Sequence, residues 1–268
     1  VCTKIKGFAM VRFFFFFLLL VEMSWSDTLL SVLEKGRLRV CVWPEYYGIS
    51  YLDPRTQTLV GIDVDLAREL GRDLGVQVAF VPSSFATFIE DIEQARCDIA
   101  MFAIGHTASR KERLLLTSPH LVSDVYAVAT KGNRRIRTWE DIDQDGVVVA
   151  VAKGTYHVEI MRQSLQKARL LVVDSLHARE QEVAAGRADV FMTDYPFGVR
   201  MVAQRDWARL IVPPVPFFLT PYGWAVNKGE EALLARVEAF LEAIKKDGRL
   251  KEAAARHQLL PIAQTLEP

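Results

Sequence analysis

Short continuous apolar runs alternate along this chain with longer segments whose apolar residues recur at helical spacing. Leu38 to Trp43 (LRVCVW) is too short for a helix and reads as a buried strand. Pro44 to Pro54 reads as a loop carrying Tyr46, Tyr47 and Tyr51. After Gly61, the spacing of Val64, Ala67, Leu70 and Leu74 predicts a helix ended by Gly75. Val76 to Val81 is a second predicted strand. Ser84 is placed to cap a helix with Phe85, Phe88, Ile89 and Ile92 on one face. Ile99 to Ile104 is a third strand, bounded by Gly105. The order β-α-β-α-β implies a parallel sheet with right-handed crossovers.

A second series follows. Strands are predicted over Val125–Thr130, Val147–Val151, Leu170–Val173 and Val190–Met192, the last running to Asp194. Thr138 with Asp141 resembles a helix start, and helices are predicted over Tyr156–Lys167, Ser175–Ala185 and Tyr195–Gln204, with Pro196 tolerated in a first turn. Pro213 to Pro221 reads as extended. Gly223–Val226 is a further strand, and Glu230–Lys246 and Asp247–His257 are amphipathic helices. Ala95-Arg96-Cys97-Asp98-Ile99-Ala100-Met101 is echoed by Gly186-Arg187-Ala188-Asp189-Val190-Phe191-Met192. Each is a turn after a helix, an Asp, then a buried strand. The expected architecture is therefore two similar α/β lobes, with the chain crossing back to the first near residue 220.

The N-terminus departs from this pattern. Met10-Val11-Arg12 is a short basic start, Phe13 to Val21 a nine-residue apolar run, and Ser24 and Ser26 are small residues before Asp27. This is a signal-peptide pattern, too short for a bilayer span of about 20 residues. The expected division is residues 1–26 as upstream residues and signal peptide, 27–123 plus 220–268 as the first lobe, and 124–219 as the second. With the leader removed, Cys41 and Cys97 remain; both fall on apolar strand patterns, which favours buried thiols over a disulfide. The 268 residues carry 33 basic and 33 acidic side chains, and no basic patch points to nucleic acid.

The chemistry concentrates after the Ile99 strand. Gly105 to Ser109 form a small, polar loop, and Arg110 opens the next short helix with Ser109 as the expected N-cap. Strand ends that feed a helix N-terminus are where open α/β sheets bind ligands, and anions are favoured there. Arg110 adds a planar fork matched to a carboxylate.

Four stretches in this order resemble a known family. They are Gly61-Ile62-Asp63-Val64-Asp65-Leu66-Ala67; Asp98-Ile99-Ala100 with Thr107-Ala108-Ser109-Arg110 and Thr117-Ser118-Pro119; Val151-Ala152-Lys153-Gly154-Thr155; and Ala188-Asp189-Val190 through Asp194. The chain resembles the periplasmic solute-binding proteins of polar amino-acid ABC transporters, the bacterial extracellular solute-binding proteins of family 3. The resemblance implies two lobes joined by two hinge crossovers that close on a small ligand, a permease as partner, no cofactor and a monomer. It implies that Arg110 pairs with a ligand carboxylate, that Thr155 and the neighbouring backbone at Tyr156 hold the same group, and that Asp194 accepts the ammonium. Trp43 falls where relatives that bind cationic amino acids have a carboxylate, and Tyr46 and Phe85 match positions of stacking aromatics. Ala103 and Gly105 stand where many relatives have hydroxyls near the amino group. An apolar or aromatic ligand part is therefore expected.

The same fold is similar to exported cyclohexadienyl dehydratases, which act on prephenate or arogenate. That chemistry needs a general acid, implied one helical turn after Asp194, where this chain has Phe197; Glu159 is the substitute to consider, against its reading as a surface residue. A sensor-type ligand-binding domain is a third possibility. The five histidines show no metal-ligand spacing, and His106 reads as a solvated residue of the cleft loop.

Overall fold

A computed structural model describes residues 28–265; the expected signal peptide lies outside them. Helix α1 (Thr28–Lys35) leads into β1 (Arg37–Val42), β2 (Glu45–Tyr46), β3 (Ser50–Leu52) and β4 (Leu59–Val60). Then come α2 (Ile62–Leu74), β5 (Gln77–Pro82), α3 (Phe88–Glu93), β6 (Ile99–Gly105), α4 (Ala108–Arg113), β7 (Leu114–Leu116) and β8 (Leu121–Ser123). The second series is β9 (Val125–Thr130), β10 (Val148–Ala152), α5 (Tyr156–Ser164), β11 (Arg169–Val173), α6 (Leu176–Ala184), β12 (Val190–Asp194), α7 (Tyr195–Gln204) and β13 (Ala208–Ile211). The chain ends with β14 (Thr220–Asn227), α8 (Glu231–Asp247) and α9 (Arg249–Arg256).

Two sheets organise the molecule. The first has the order β5-β1-β6-β14-β7, with β8 also on β14; the second has the order β11-β10-β12-β9-β13. In each, three parallel strands are flanked by an antiparallel one, β14 on β6 and β9 on β12. The antiparallel strands follow from the connectivity: β9 and β14 are entered directly from the other lobe, without a helix that would return the chain in parallel. The chain passes between the sheets twice, from β8 to β9 and from β13 to β14. Asp124 ties the two crossovers together, its carboxylate accepting the N–H groups of Phe217 (2.9 Å) and Phe218 (2.7 Å).

The echoed motif has a common structural meaning. Asp98 accepts the N–H of Arg39 at 2.7 Å, and Asp189 accepts the N–H of Val148 at 2.8 Å. Each carboxylate thus satisfies a backbone donor near the start of the neighbouring parallel strand. Beyond it, β6 and β12 are wholly buried, in keeping with strands covered on both faces.

Several expectations give way. Cys41 and Cys97 are joined by a disulfide, with Cα atoms 5.6 Å apart, because Cys97 lies in the turn before β6 and not on the strand. The Pro44–Pro54 loop contains β2 and β3, which pair with β4 in a small antiparallel sheet. Strands β7, β8 and β13 arise in segments whose short or polar-interrupted runs gave no strand pattern. Helix α3 starts at Phe88: residues 85–87 form a turn, and the Ser84 carbonyl accepts the N–H groups of Thr87 and Phe88. Thr107, not Ser109, caps α4, its hydroxyl accepting the Arg110 N–H.

Candidate functional site

The C-terminal ends of β6 and β12 face each other across the boundary between the lobes. Beyond β6, Gly105 leads through the Thr107 cap into α4 and sets Arg110 inside the protein, 4 % exposed. One guanidinium nitrogen donates to the Gly105 carbonyl at 2.8 Å, and the other donates across the boundary to the Gly154 carbonyl at 3.0 Å. Phe85 and Phe88 lie under the guanidinium, 5.1 and 5.4 Å from its carbon to the ring centres. A Cβ at Gly105 would come within 3.3 Å of Arg110 Nη1 and of Tyr156, so the glycine makes room for the charge. Burial lowers the Arg110 pKa to about 10, which still leaves it protonated at neutral pH.

Beyond β12, Asp194 does two things at once. Oδ1 accepts the Phe197 N–H at 3.2 Å and caps α7. Oδ2 accepts hydrogen bonds from the phenols of Tyr46 and Tyr222, the latter at 2.9 Å. Both tyrosines come from the first lobe. Tyr156 extends the chain, its hydroxyl 2.9 Å from that of Tyr222. Burial raises the Asp194 pKa, opposed by the hydrogen bonds from Tyr46, Tyr222 and Phe197. Burial and the Asp194 charge raise Tyr46 and Tyr222, so these phenols stay protonated as donors. A carboxylate has about four lone-pair sites; three are used here, and the fourth is left for a further donor.

Tyr46, Phe85, Thr155, Tyr156, His157, Leu176, Arg179, Thr193 and Asp194 line a narrow cavity between the lobes, with free space of about 10 Å³, room for about one water. The backbones meet closely at its edge: a Cβ on Gly154 would fall 2.3 Å from the Phe85 carbonyl oxygen. Phe85 can reach this position because α3 starts late and leaves it in the turn. Thr155 lines the cavity, and its hydroxyl donates to the Ala152 carbonyl at 2.7 Å. Trp43 is buried behind Phe85, ring centres 4.9 Å apart, and does not form the cavity wall.

Ala103 stands back from the cavity, in the left-handed region at φ 53° within β6. Such a conformation costs an L-residue roughly 1–2 kcal/mol. Its N–H, turned off the strand, is taken by the buried Asp63 carboxylate at 2.7 Å. The same carboxylate binds His120 (2.8 Å) and the Trp224 indole (2.9 Å). Asp63, from the first motif, thus fixes the strand that carries Gly105.

His106 does not line the cavity and is only half-exposed: its Nε2 is buried beside Gly223 of β14 and Thr117, and burial lowers its pKa. Glu159 is exposed on α5, and Phe197 is buried against Tyr47 and Phe191. Cleft residues not singled out from the sequence are Tyr222, His157, Leu176, Arg179 and Thr193. Arg179 carried a signal: Leu176, Arg179, Glu180 and Val183 have the i, i+3, i+4, i+7 spacing of a buried face, and all four are buried.

The sequence model of the bacterial extracellular solute-binding proteins, family 3, matches residues 38–259. Cyclohexadienyl dehydratase of Pseudomonas aeruginosa is 30% identical over 230 residues, covering 82% of each chain. The L-cystine-binding protein TcyJ of Escherichia coli is 27% identical over 222 residues, again covering 82% of each. Among solved structures, the ancestral amino acid-binding protein AncCDT-1, described as a precursor of cyclohexadienyl dehydratase, superposes with a TM-score of 0.79 at 30% identity. It covers 85% of this chain and 98% of that one.

Proposed function

The chain belongs to the bacterial extracellular solute-binding proteins of family 3, and from that premise we propose that it captures a small amino acid or related carboxylate between its lobes for uptake by an ABC transporter. The observation that carries this reading is the placing of a buried cation and a buried anion on opposite lobes, each bonded to the other lobe: Arg110 to Gly154, and Asp194 to Tyr46 and Tyr222. A zwitterion needs one partner of each sign at a fixed separation, and a site closed to water strengthens both pairs. Arg110 takes the carboxylate, with Thr155 and Tyr156 beside it at the start of α5. Asp194 takes the ammonium with its remaining lone pair. Tyr46 and Phe85 supply the walls, Trp43 holds Phe85 in place, and Ala103 and Gly105 shape the strand end.

The lobes in this reading are residues 27–123 with 220–268, and residues 124–219, and they move about the crossovers that Asp124 ties together. A periplasmic location, reached through the leader at residues 1–26, is supported by the Cys41–Cys97 disulfide, which suits an oxidising compartment. The protein acts as a monomer that presents its closed form to the permease.

A dehydratase is the second reading, favoured by the Pseudomonas relative. It lacks a general acid here. Phe197 fills the expected place, Glu159 is exposed, and among the described residues lining the cavity the carboxyl group is that of Asp194, already committed to a helix cap and two phenols. In the proposed function no reaction is catalysed. Mass spectrometry of small molecules released by denaturing the purified protein, with turnover assays on prephenate and arogenate, separates the readings. A bound amino acid or carboxylate and no turnover are expected; turnover of either compound overturns the assignment.

A further inference from the structure

Two buried polar side chains remain on the wall of the cavity with no work assigned to them. His157 is 4 % exposed; the Thr193 backbone lies beside its ring, but neither ring nitrogen makes a hydrogen bond of good geometry. Arg179 is 1 % exposed, and its Nε has none either. Leaving a buried polar group unpaired is costly, so each such group calls for an explanation, and a ligand's polar group is one that fits a cavity wall. Arg179 is also held still. Its terminal nitrogens donate to the Met192 carbonyl (2.5 Å) and Thr193 Oγ1 (3.2 Å), and its guanidinium carbon lies 4.8 and 4.5 Å from the ring centres of Phe191 and Phe197. These bonds go to neutral oxygens, so its charge is not matched by a bonded carboxylate. Burial lowers its pKa only to about 10, and it remains a cation. Burial and the nearby Arg179 and Arg110 hold His157 well below its ordinary pKa, so its ring is neutral and offers one donor and one acceptor.

Arg179 and Asp194 bring one charge of each sign to the cavity wall, with Glu180 buried beside Arg179 on α6, and Arg110 adds a further cation beyond the edge where Phe85 meets Gly154. An α-carboxylate on Arg110 and an ammonium on Asp194 leave Arg179 Nε without a partner. We propose that Arg179 and His157 form a second subsite for an anionic group, and that the ligand is an amino acid whose side chain ends in a carboxylate. The α-carboxylate lies on Arg110 and the ammonium on Asp194, and the side-chain carboxylate accepts hydrogen bonds from Arg179 Nε and His157. This rests on the amino-acid-binding reading and names its ligand class, in place of the apolar or aromatic ligand part expected from the sequence, since Arg179 and His157 line the cavity and Trp43 does not.

The test is calorimetric titration of the whole mature protein with L-aspartate, L-asparagine, L-glutamate, L-glutamine and L-ornithine. One carboxylate-ended member should bind at least about ten-fold tighter than its amide, the scale set by a hydrogen bond to a charged group. Arg179→Met should remove that preference, weakening the carboxylate's binding several-fold more than the amide's, since a hydrogen bond to a charged group is the stronger one. His157→Leu serves the same purpose if Arg179→Met does not fold, since it removes no charge from the lobe. Amide or ornithine binding as tight as the carboxylate's overturns the subsite and leaves amino-acid capture standing. Equal weakening of carboxylate and amide by both variants also overturns it. Binding of none of the five, together with no amino acid released from the purified protein, overturns the subsite and the capture reading together.

Discussion

At the foot of β6, Asp98 accepts the Arg39 N–H, and at the foot of β12, Asp189 accepts the Val148 N–H. Both strands then run fully buried to the cleft. There the two lobes part ways. The first bends β6 at Ala103, braces the bend with Asp63 and delivers a cation one loop later, at Arg110. The second ends its strand directly in an anion, Asp194, which is also the cap of the next helix. The same framework therefore carries opposite charges at equivalent strand ends. Framework residues are held by backbone hydrogen bonds within one lobe, whereas the charged residues bond both within their lobe and to the other. In the proposed function, stability is local to each lobe and recognition belongs to the pair.

The sharpest way to break this comparison is to remove the first lobe's charge. Arg110→Ala should weaken ligand binding by roughly 2–5 kcal/mol, because the ligand carboxylate would be buried unpaired; calorimetry with an unchanged affinity would take Arg110 out of the site. The next effect falls on one lobe alone. The disulfide closes a separation of 56 residues in the first lobe, and replacing both cysteines by serine should lower stability by about 2–4 kcal/mol. In urea titrations followed by tryptophan fluorescence, an equal loss in both lobes' transitions would contradict the local account. The framework carboxylates should then prove equivalent: Asp98→Ala and Asp189→Ala each leave a backbone N–H short of its partner and should cost about 1–3 kcal/mol in the same titrations. A large cost at one and none at the other would sink the repeat as a structural unit.

The smallest effect is a matter of pH. Burial raises the Asp194 pKa, so acidification protonates it sooner than an ordinary carboxyl group. The protonated acid no longer attracts an ammonium. Affinity for an amino-bearing ligand should therefore weaken as pH falls, starting above the usual carboxylate pKa of about 4. Asp194→Asn should bind such ligands weakly with a flatter profile, while acids without an amine are spared. Equal loss for acids lacking an amine would give Asp194 a structural role only.

Much of the framework was legible because it rests on local signals. The Gly75 stop, the Ser175 cap and the Tyr195–Gln204 helix reflect cap chemistry and periodicity, and the echoed Asp motif reflects a backbone bond each lobe must make. The short strands were not legible. A two-residue strand such as β2, or β7 in Leu114–Leu116, is defined by its partner across the sheet and not by its own pattern. The disulfide was missed because Cys97 leaves the strand pattern two residues before β6, which places its side chain by a turn. In the cleft, Arg110 and Asp194 stood out by type and position. Tyr222 and His157 did not, since their roles depend on what the opposite lobe or the neighbouring helix presents. Glu159, by contrast, stands exposed on α5, as its reading as a surface glutamate expected.

The most direct test is a crystal structure of the protein with the small molecule it carries. The account predicts that molecule between the lobes, a carboxylate within about 3 Å of the Arg110 guanidinium and an ammonium at the same distance from Asp194. A ligand seated elsewhere, such as the hollow of the second lobe lined by Trp139, Met161 and Phe217, with Arg110 and Asp194 still bonded as they are to Gly154 and the two tyrosines, would contradict it.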